Sequence, residues 1–235
     1  MGKFEKSYGF VMKSFLRAVN PIKRKIIKTE CKVHKFINYE ALDILKNDGY
    51  KRAYDFLKEY IKDINSGAVW ADQDFKSSDH FYNPEKGRGL YGASNALKEA
   101  TYYYSKSINL YREGKINASM FYLGCACHII QDMTVPQHVN IKLLDSHRKY
   151  ELWVIKTYFL HDAFKAGEGG IYLDSIKDFI EQNAKKAIEA YLKYKEVKDK
   201  DERYFKLTKE ILTQAQRTTA GLMLKYFNDV IKIEI

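Results

Sequence analysis

Along most of the chain, apolar residues recur every three or four positions, the spacing of one buried helix face. Between Val33 and Leu45 they fall at Val33, Phe36, Ile37, Ala41, Ile44 and Leu45. From Tyr50 the spacing runs through Ala53, Phe56, Leu57, Tyr60, Ile61 and Ile64, and "NSG" at 65–67 is expected to stop that helix. Residues 66–92 lose the period and hold glycines, Asn83-Pro84 and clustered aspartates. They read as a long loop, a place where function often sits. The period resumes at Ala93, Ala96, Leu97, Ala100 and Tyr104 and ends near Gly114. From Ala118 to Ile130 the chain is apolar almost all round, as in a helix at the middle of a bundle, and Gly124 and Ala126 would let neighbours approach closely. Pro136 ends that helix or bends the chain after it. Further helices are expected over about 146–166, before "GEGG", and over roughly 172–194 and 202–232. There is no internal repeat or clear linker. The pattern predicts an all-α fold, a single-domain multi-helix bundle spanning 1–235, with residues 1–29 as a basic N-terminal extension.

Composition adds little to the fold and something to its partners. Apolar residues make up 46% of the 235, enough for one sizeable core. Three prolines and thirteen glycines are few for an all-β chain. The net charge of +10 favours anionic partners: phospholipid surfaces, nucleic acid or phosphate-bearing substrates. Three cysteines argue against a disulfide framework, and Cys125 and Cys127 sit in an apolar run as buried thiols. No window is apolar over the ~18 residues that a membrane span needs. The stretch "YGFVMKSFLRAV" is interrupted by Lys13 and Arg17 and lacks the uninterrupted apolar core of a signal peptide.

Chemistry concentrates in "HIIQDMTVPQHVNIKLLDSHRKYE", residues 128–151, which hold three of the six histidines. His128 precedes Asp132 by four positions and His147 precedes Glu151 by four, so each pair shares a helix face and can point at one ion. His138 lies just past Pro136, on a segment that could fold back toward either pair. Imidazole and carboxylate together suit zinc. Any one histidine alone fits an ordinary packing role; two His-x-x-x-acid pairs flanking a third histidine favour a metal site. In the long loop, "VWADQDFKSSDHFYNP" supplies Asp72, Asp74, Asp79 and His80, and His34 opens the first clear helix.

Three motifs in this order, "YLGCACHIIQDMTVPQHVN…SHRKYE", "DHFYNP" and "AQRTTAG" at 215–221, resemble those of the bacterial zinc-dependent phospholipase C family, which includes the catalytic domains of alpha-toxins. The resemblance runs from about residue 30 to the C-terminus. It implies an all-helical domain with up to three Zn2+ ions. His80, His128, Asp72 and Asp132 would hold one ion. Asp132 would bridge to a second, bound by His34, and His138, His147 and Glu151 would hold the third. His161 is left over. The implied reaction is metal-assisted attack of water on a phosphodiester, with Asp72 either orienting and deprotonating that water or acting as a ligand only.

The chain departs from the family's pattern at two places. Family members begin at a tryptophan whose free α-amine and carbonyl bind the second metal, whereas no tryptophan precedes Trp70 here. Cleavage within "IKRKIIK", a substitute thiolate from Cys31 in the C-x-x-H spacing with His34, or a partly filled site would each account for this. No signal peptide is recognisable, although the family is typically secreted. At the headgroup position Gln73 replaces an aromatic residue, and Phe75, Phe81 and Tyr82 could rebuild a cation–π wall or serve as packing. Three readings follow: a zinc phospholipase C acting on phospholipid, a zinc nuclease on single-stranded nucleic acid, and a weakly active zinc-stabilised protein that binds anionic membranes. "SHRKYE" and "DHFYNP" match the first best.

Overall fold

The computed structural model describes residues 31–73, 80–84, 87–89, 94–140 and 144–231. Nine α-helices are present among them: α1 Lys32–Asn47, α2 Lys51–Glu59, α3 Ile61–Asp72, α4 Ala96–Arg112, α5 Ile116–Asp132, α6 Pro136–Val139, α7 Leu144–Thr157, α8 Ile176–Tyr194 and α9 Lys200–Ile231. The described residues contain no strand, only an isolated bridge between Asn83 and Arg88. The all-α bundle expected from the period is what forms. The basic extension over residues 1–29 lies outside the described residues, as do Asp74, Phe75 and Asp79.

The centre of the bundle is α5. From Leu123 to Asp132 every residue of this helix is buried, as its apolar sequence requires. It packs between α3 and α4, and α9 closes the bundle behind them. The helix expected to stop at 65–67 does not stop there: α3 continues to Asp72. The break falls earlier, at Tyr60, which leaves helical geometry between α2 and α3. The reason is tertiary. A Cβ on Gly67 would lie 1.8 Å from the Phe121 carbonyl oxygen, and one on Gly124 would lie 1.9 Å from that of Ile64. The two helices therefore touch backbone to backbone through a reciprocal pair of glycines. That packing outweighs the cost of about 1 kcal/mol of a mid-helix glycine. The long loop accordingly begins at Gln73 rather than near 66.

The helix expected over about 146–166 also differs. It ends at Thr157, and a short 3₁₀ turn follows at Asp162–Phe164. The intervening turn is tightened by the bonds Tyr158 N–H to Val154 O and Leu160 N–H to Thr157 O. Turning here lets Phe164 reach a fully buried position beside Ile37, Leu212 and Ala215. α4 begins at Ala96, with the Asn95 side chain accepting from Lys98 N–H as its cap. Pro136 occupies the first turn of α6, where its missing N–H costs nothing.

The motif "AQRTTAG" lies buried in α9 and ties the bundle together. Gln216 donates to Phe164 O and accepts from Ala166 N–H, fastening the 3₁₀ turn. Thr218 accepts from Asn183, whose amide also donates to Ile130 O near the end of α5. No helix among the described residues is long and apolar enough to cross a membrane.

Because the α3–α5 crossing has no room for a methyl group, Gly67→Ala and Gly124→Ala should each destabilise the fold by about 3 kcal/mol, the upper end of overpacking costs. Denaturant unfolding measures this. Ala126→Gly, at a fully buried site of the same helix, should cost only about 1 kcal/mol.

Candidate metal centre

Six structural elements converge at one end of α5. The start of α1 contributes Cys31 and His34, the last residue of α3 is Asp72, and the segment leading to α4 contributes His80. The last turn of α5 presents His128 and Asp132, α6 presents His138, and α7 presents His147 and Glu151. All eight residues expected as ligands are thus brought together, from sequence positions more than a hundred residues apart.

Asp132 is the hub. Its Oδ2 accepts from His80 Nδ1 at 2.8 Å and lies 3.2 Å from His128 Nε2 and 4.0 Å from His138 Nδ1. Its Oδ1 faces the other way, 3.6 Å from His34 Nε2. The two oxygens address different histidines, an arrangement suited to a bridging carboxylate. Two groups of donor atoms result, each gathered within 4.8 Å: His34, His128 and Asp132 in one, and His138, His147 and Glu151 in the other. Asp72 stands beside the first group, with its Oδ2 accepting from the Cys31 thiol at 2.9 Å. Cys31 is the one non-glycine among the described residues with a positive φ, 42°, a conformation that costs free energy and is retained here at the edge of the cluster.

The donor set fits a metal by a test internal to the structure. Both ring nitrogens of His128, Nδ1 of His138 and Nε2 of His147 are buried and have no hydrogen-bond partner. His147 Nε2 comes within 2.8 Å of Glu151 Oε1 without the alignment of a hydrogen bond. Buried polar atoms left unpaired cost about 1–3 kcal/mol each. Imidazole nitrogens left unbonded within each of the two donor groups are what a cation would satisfy.

Electrostatics set the protonation states that metal binding requires. Burial pushes the Asp132 carboxyl up, but the His128 and His138 charges and the bond from His80 outweigh it and hold it well below the usual range. Burial likewise raises Asp72, and His128, His34 and the Cys31 thiol reverse the sign and keep it low. Burial and the His128 charge lower His34 despite the pull of Asp132 and Asp72. Burial brings His138 down to about 4. At neutral pH the carboxylates are ionised and these two imidazoles are neutral. His147 is the exception: burial lowers it, and Glu151 more than restores it, leaving it raised. Burial and the adjacent Asp72 push the Cys31 thiol up, so in this structure Cys31 is a hydrogen-bond donor.

Sequence reasoning missed the residues that aim the ligands. Gln131 Oε1 accepts from His34 Nδ1 at 2.8 Å. The Gln131 amide donates to Asn38 Oδ1 and Thr219 Oγ1, and Asn38 donates to Asn65. This chain fixes the His34 tautomer, leaving its Nε2 lone pair toward Asp132. The available signal was a glutamine in a helix otherwise apolar all round, opposite a threonine of "AQRTTAG". Phe81 is buried and stacks on His138, with ring centroids 5.0 Å apart. Tyr82 is buried and its N–H bonds to His138 O. Of the two readings open for these aromatics, both are committed to packing around His138. Gln73 caps α3 in extended conformation, and Phe75 lies outside the described residues. His161 packs edge-on against Phe164 and Phe205, away from the centre.

A cavity of about 610 Å³ opens over the cluster. It is lined by the donors His34, Asp72, Asp132, His138, His147 and Glu151 and by the apolar side chains Val33, Ile37, Val154, Ile155, Ile211 and Leu212.

The family model of zinc-dependent phospholipase C matches residues 33–220. The chain belongs to that family. Among its relatives, a phospholipase C of Listeria monocytogenes is 30% identical over 188 residues, covering 73% of this chain and 65% of the relative. A phospholipase C of Clostridium novyi is 24% identical over 241 residues, covering 85% of this chain and 59% of the relative. The chain therefore spans less than two thirds of these relatives' lengths. In structure it is similar to the alpha-toxin of Clostridium absonum, with a TM-score of 0.74 and 19% identity over 87% of this chain and 66% of that one. Membership identifies the metal the centre is built for as zinc, which its imidazole and carboxylate donors suit.

Replacing Gln131 by Leu should lower zinc affinity about 10–100-fold while the helical circular dichroism is retained, measured by competition with a chromophoric chelator. For the metal-free protein, His138 sits at about 4 when folded and about 6.5 when unfolded. The unfolded state therefore takes the proton first, so stability is full above about pH 6.5 and is lost as pH falls through about 4. Melting of chelator-treated protein across that range should show a falling midpoint, and His138→Gln should flatten the fall.

Proposed function

We propose that this chain is a zinc-dependent phospholipase C, hydrolysing the bond between glycerol oxygen and phosphate in a phospholipid. The observation that carries the reading is that a carboxylate–histidine cluster and a set of apolar side chains line one cavity. Such a cavity can take a phosphodiester at its charged and imidazole groups and the glycerol and first acyl carbons against its apolar ones. Family membership and the names of the relatives support it.

In this reading up to three zinc ions are held. His80, His128, Asp72 and Asp132 serve one, Asp132 and His34 a second, and His138, His147 and Glu151 a third. When bound, the zinc supplies charge neutralisation of the phosphodiester oxygens and acidification of water toward a pKa of about 7. The protein's own residues do the rest. Asp72 stays ionised and can accept a proton from the attacking water. The Cys31 thiol occupies its Oδ2 and so fixes its rotamer. Oxygen of water bonds to phosphorus, the glycerol oxygen leaves and is protonated, and diacylglycerol and a phosphomonoester result. The substitution of the family's terminal amine by Cys31 would require the thiol to leave Asp72. Cleavage within residues 22–28 concerns residues outside the described set.

Elemental analysis of the purified protein, followed by turnover of phosphatidylcholine, phosphatidylethanolamine, phosphatidylserine and single-stranded DNA, tests the proposal. Zinc content with lipid turnover that a chelator abolishes and zinc restores is the expected result; DNA cleavage alone would refute it. Asp132→Asn should reduce kcat/KM by more than about 10²-fold and exceed the loss in His147→Ala, because Asp132 faces both donor sets. A smaller loss than His147→Ala would count against the bridge.

A further inference from the structure

The exposed surface of α7 and the turn after it carries a feature that the centre does not use. Leu152, Ile155, Phe159 and Leu160 are large apolar side chains with 46, 44, 62 and 60% of their surface exposed. Leu152 and Ile155 are one helical turn apart, and Ile155 is one turn beyond Glu151 of the outer donor group, so the apolar line starts at the centre and runs outward. Leu152 and Ile155 also line the rim of the cavity, so the line is continuous with the way in. Phe159 and Leu160 are held in place by the backbone bonds of the turn, from Tyr158 N–H to Val154 O and from Leu160 N–H to Thr157 O.

Cations flank this line. Arg148, Lys149 and Lys156 are exposed on the same helix. Arg148 lies one turn before Leu152, and Lys156 one turn after it. None of the three forms an ion pair among the described residues, whereas most exposed lysines of α8 and α9 do. Apolar side chains flanked by exposed cations match a surface that is hydrocarbon beneath and phosphate above. With no helix able to span a bilayer among the described residues, contact of this kind would be peripheral.

We infer that the ridge Leu152–Ile155–Phe159–Leu160, with Arg148, Lys149 and Lys156, docks on a phospholipid bilayer carrying anionic lipid and holds the cavity mouth against it. The inference deepens the proposed phospholipase reading and rests on it for the identity of the surface. The docking delivers a lipid to the cavity without its leaving the bilayer entirely, since the rim residues belong to both.

The test separates docking from chemistry. Flotation of the zinc-loaded protein with vesicles of a phosphonate lipid, in which a methylene replaces the glycerol–phosphate ester oxygen, measures binding without cleavage. Vesicles are made with and without phosphatidylserine. The double variant Phe159→Asp, Leu160→Asp should bind both at least about tenfold more weakly. Lys149→Glu with Lys156→Glu should lose only the increment that phosphatidylserine adds. Both variants should keep zinc content and turnover of dihexanoyl phosphatidylcholine below its micelle concentration, a substrate that needs no docking. Unchanged vesicle binding in the double variant would overturn the inference. So would an equal loss of turnover on the soluble substrate, which would place the ridge in the reaction, or a concentration-dependent dimer in sedimentation that the double variant abolishes. A protein that binds vesicles through the ridge but cleaves no phosphodiester would leave the ridge standing and remove the phospholipase reading.

Discussion

A carboxylate buried at the C-terminal end of a central helix is the constraint on which this structure turns. Asp132 ends α5, where the helix dipole presents partial negative charge and opposes a second anion. Burial deprives it of water. Four histidines from four separate elements answer that charge: His34 from α1, His80 from the loop segment, His128 from α5 itself and His138 from α6. Removing the carboxylate would leave buried imidazoles facing one another. Removing the imidazoles would leave an isolated buried anion, which proteins do not sustain. The cluster and the convergence of the helices are mutually required.

Holding such a cluster needs helices that cannot slide. The glycine pair Gly67 and Gly124 locks α3 to α5 at backbone distance and so fixes Asp72 relative to His128 and Asp132. Behind the centre, Gln131, Asn38, Asn65 and Thr219 form a satisfied buried polar chain. Asn183, Thr218 and Gln214 do the same for the last turn of α5 through the Ile130 carbonyl. Fully satisfied polar networks of this kind favour one packing over its near alternatives. In a bundle of smooth apolar faces, they distinguish the correct helix register from one displaced by a turn.

The period of apolar residues made the helices and the central position of α5 legible, because both depend on local spacing. The residues that gather at the candidate centre were legible as well. His128 with Asp132 and His147 with Glu151 each carry their geometry within one helical turn, and His34, His80, Asp72 and His138 could be attached through motifs. What stayed hidden depended on partners distant in sequence. Gly67 reads locally as a stop, and only the approach of Phe121 shows it to be a contact. Gln131 and Thr219 read as ordinary polar residues until 88 positions of separation are closed by folding. The early end of α7 at Thr157 follows from the burial of Phe164, which no local pattern announces.

The two donor groups differ in their shelter. Side-chain exposure is 7% at Asp132 and 48% at Glu151. Ligand exchange on a metal begins with water or a competing donor reaching the first coordination sphere, so access sets lability as much as affinity does. Residues of both groups line the cavity, but Glu151 would offer an ion a far more water-exposed donor than Asp132 does, so exchange would begin there. An ion held beside Glu151 would accordingly exchange before one held beside Asp132.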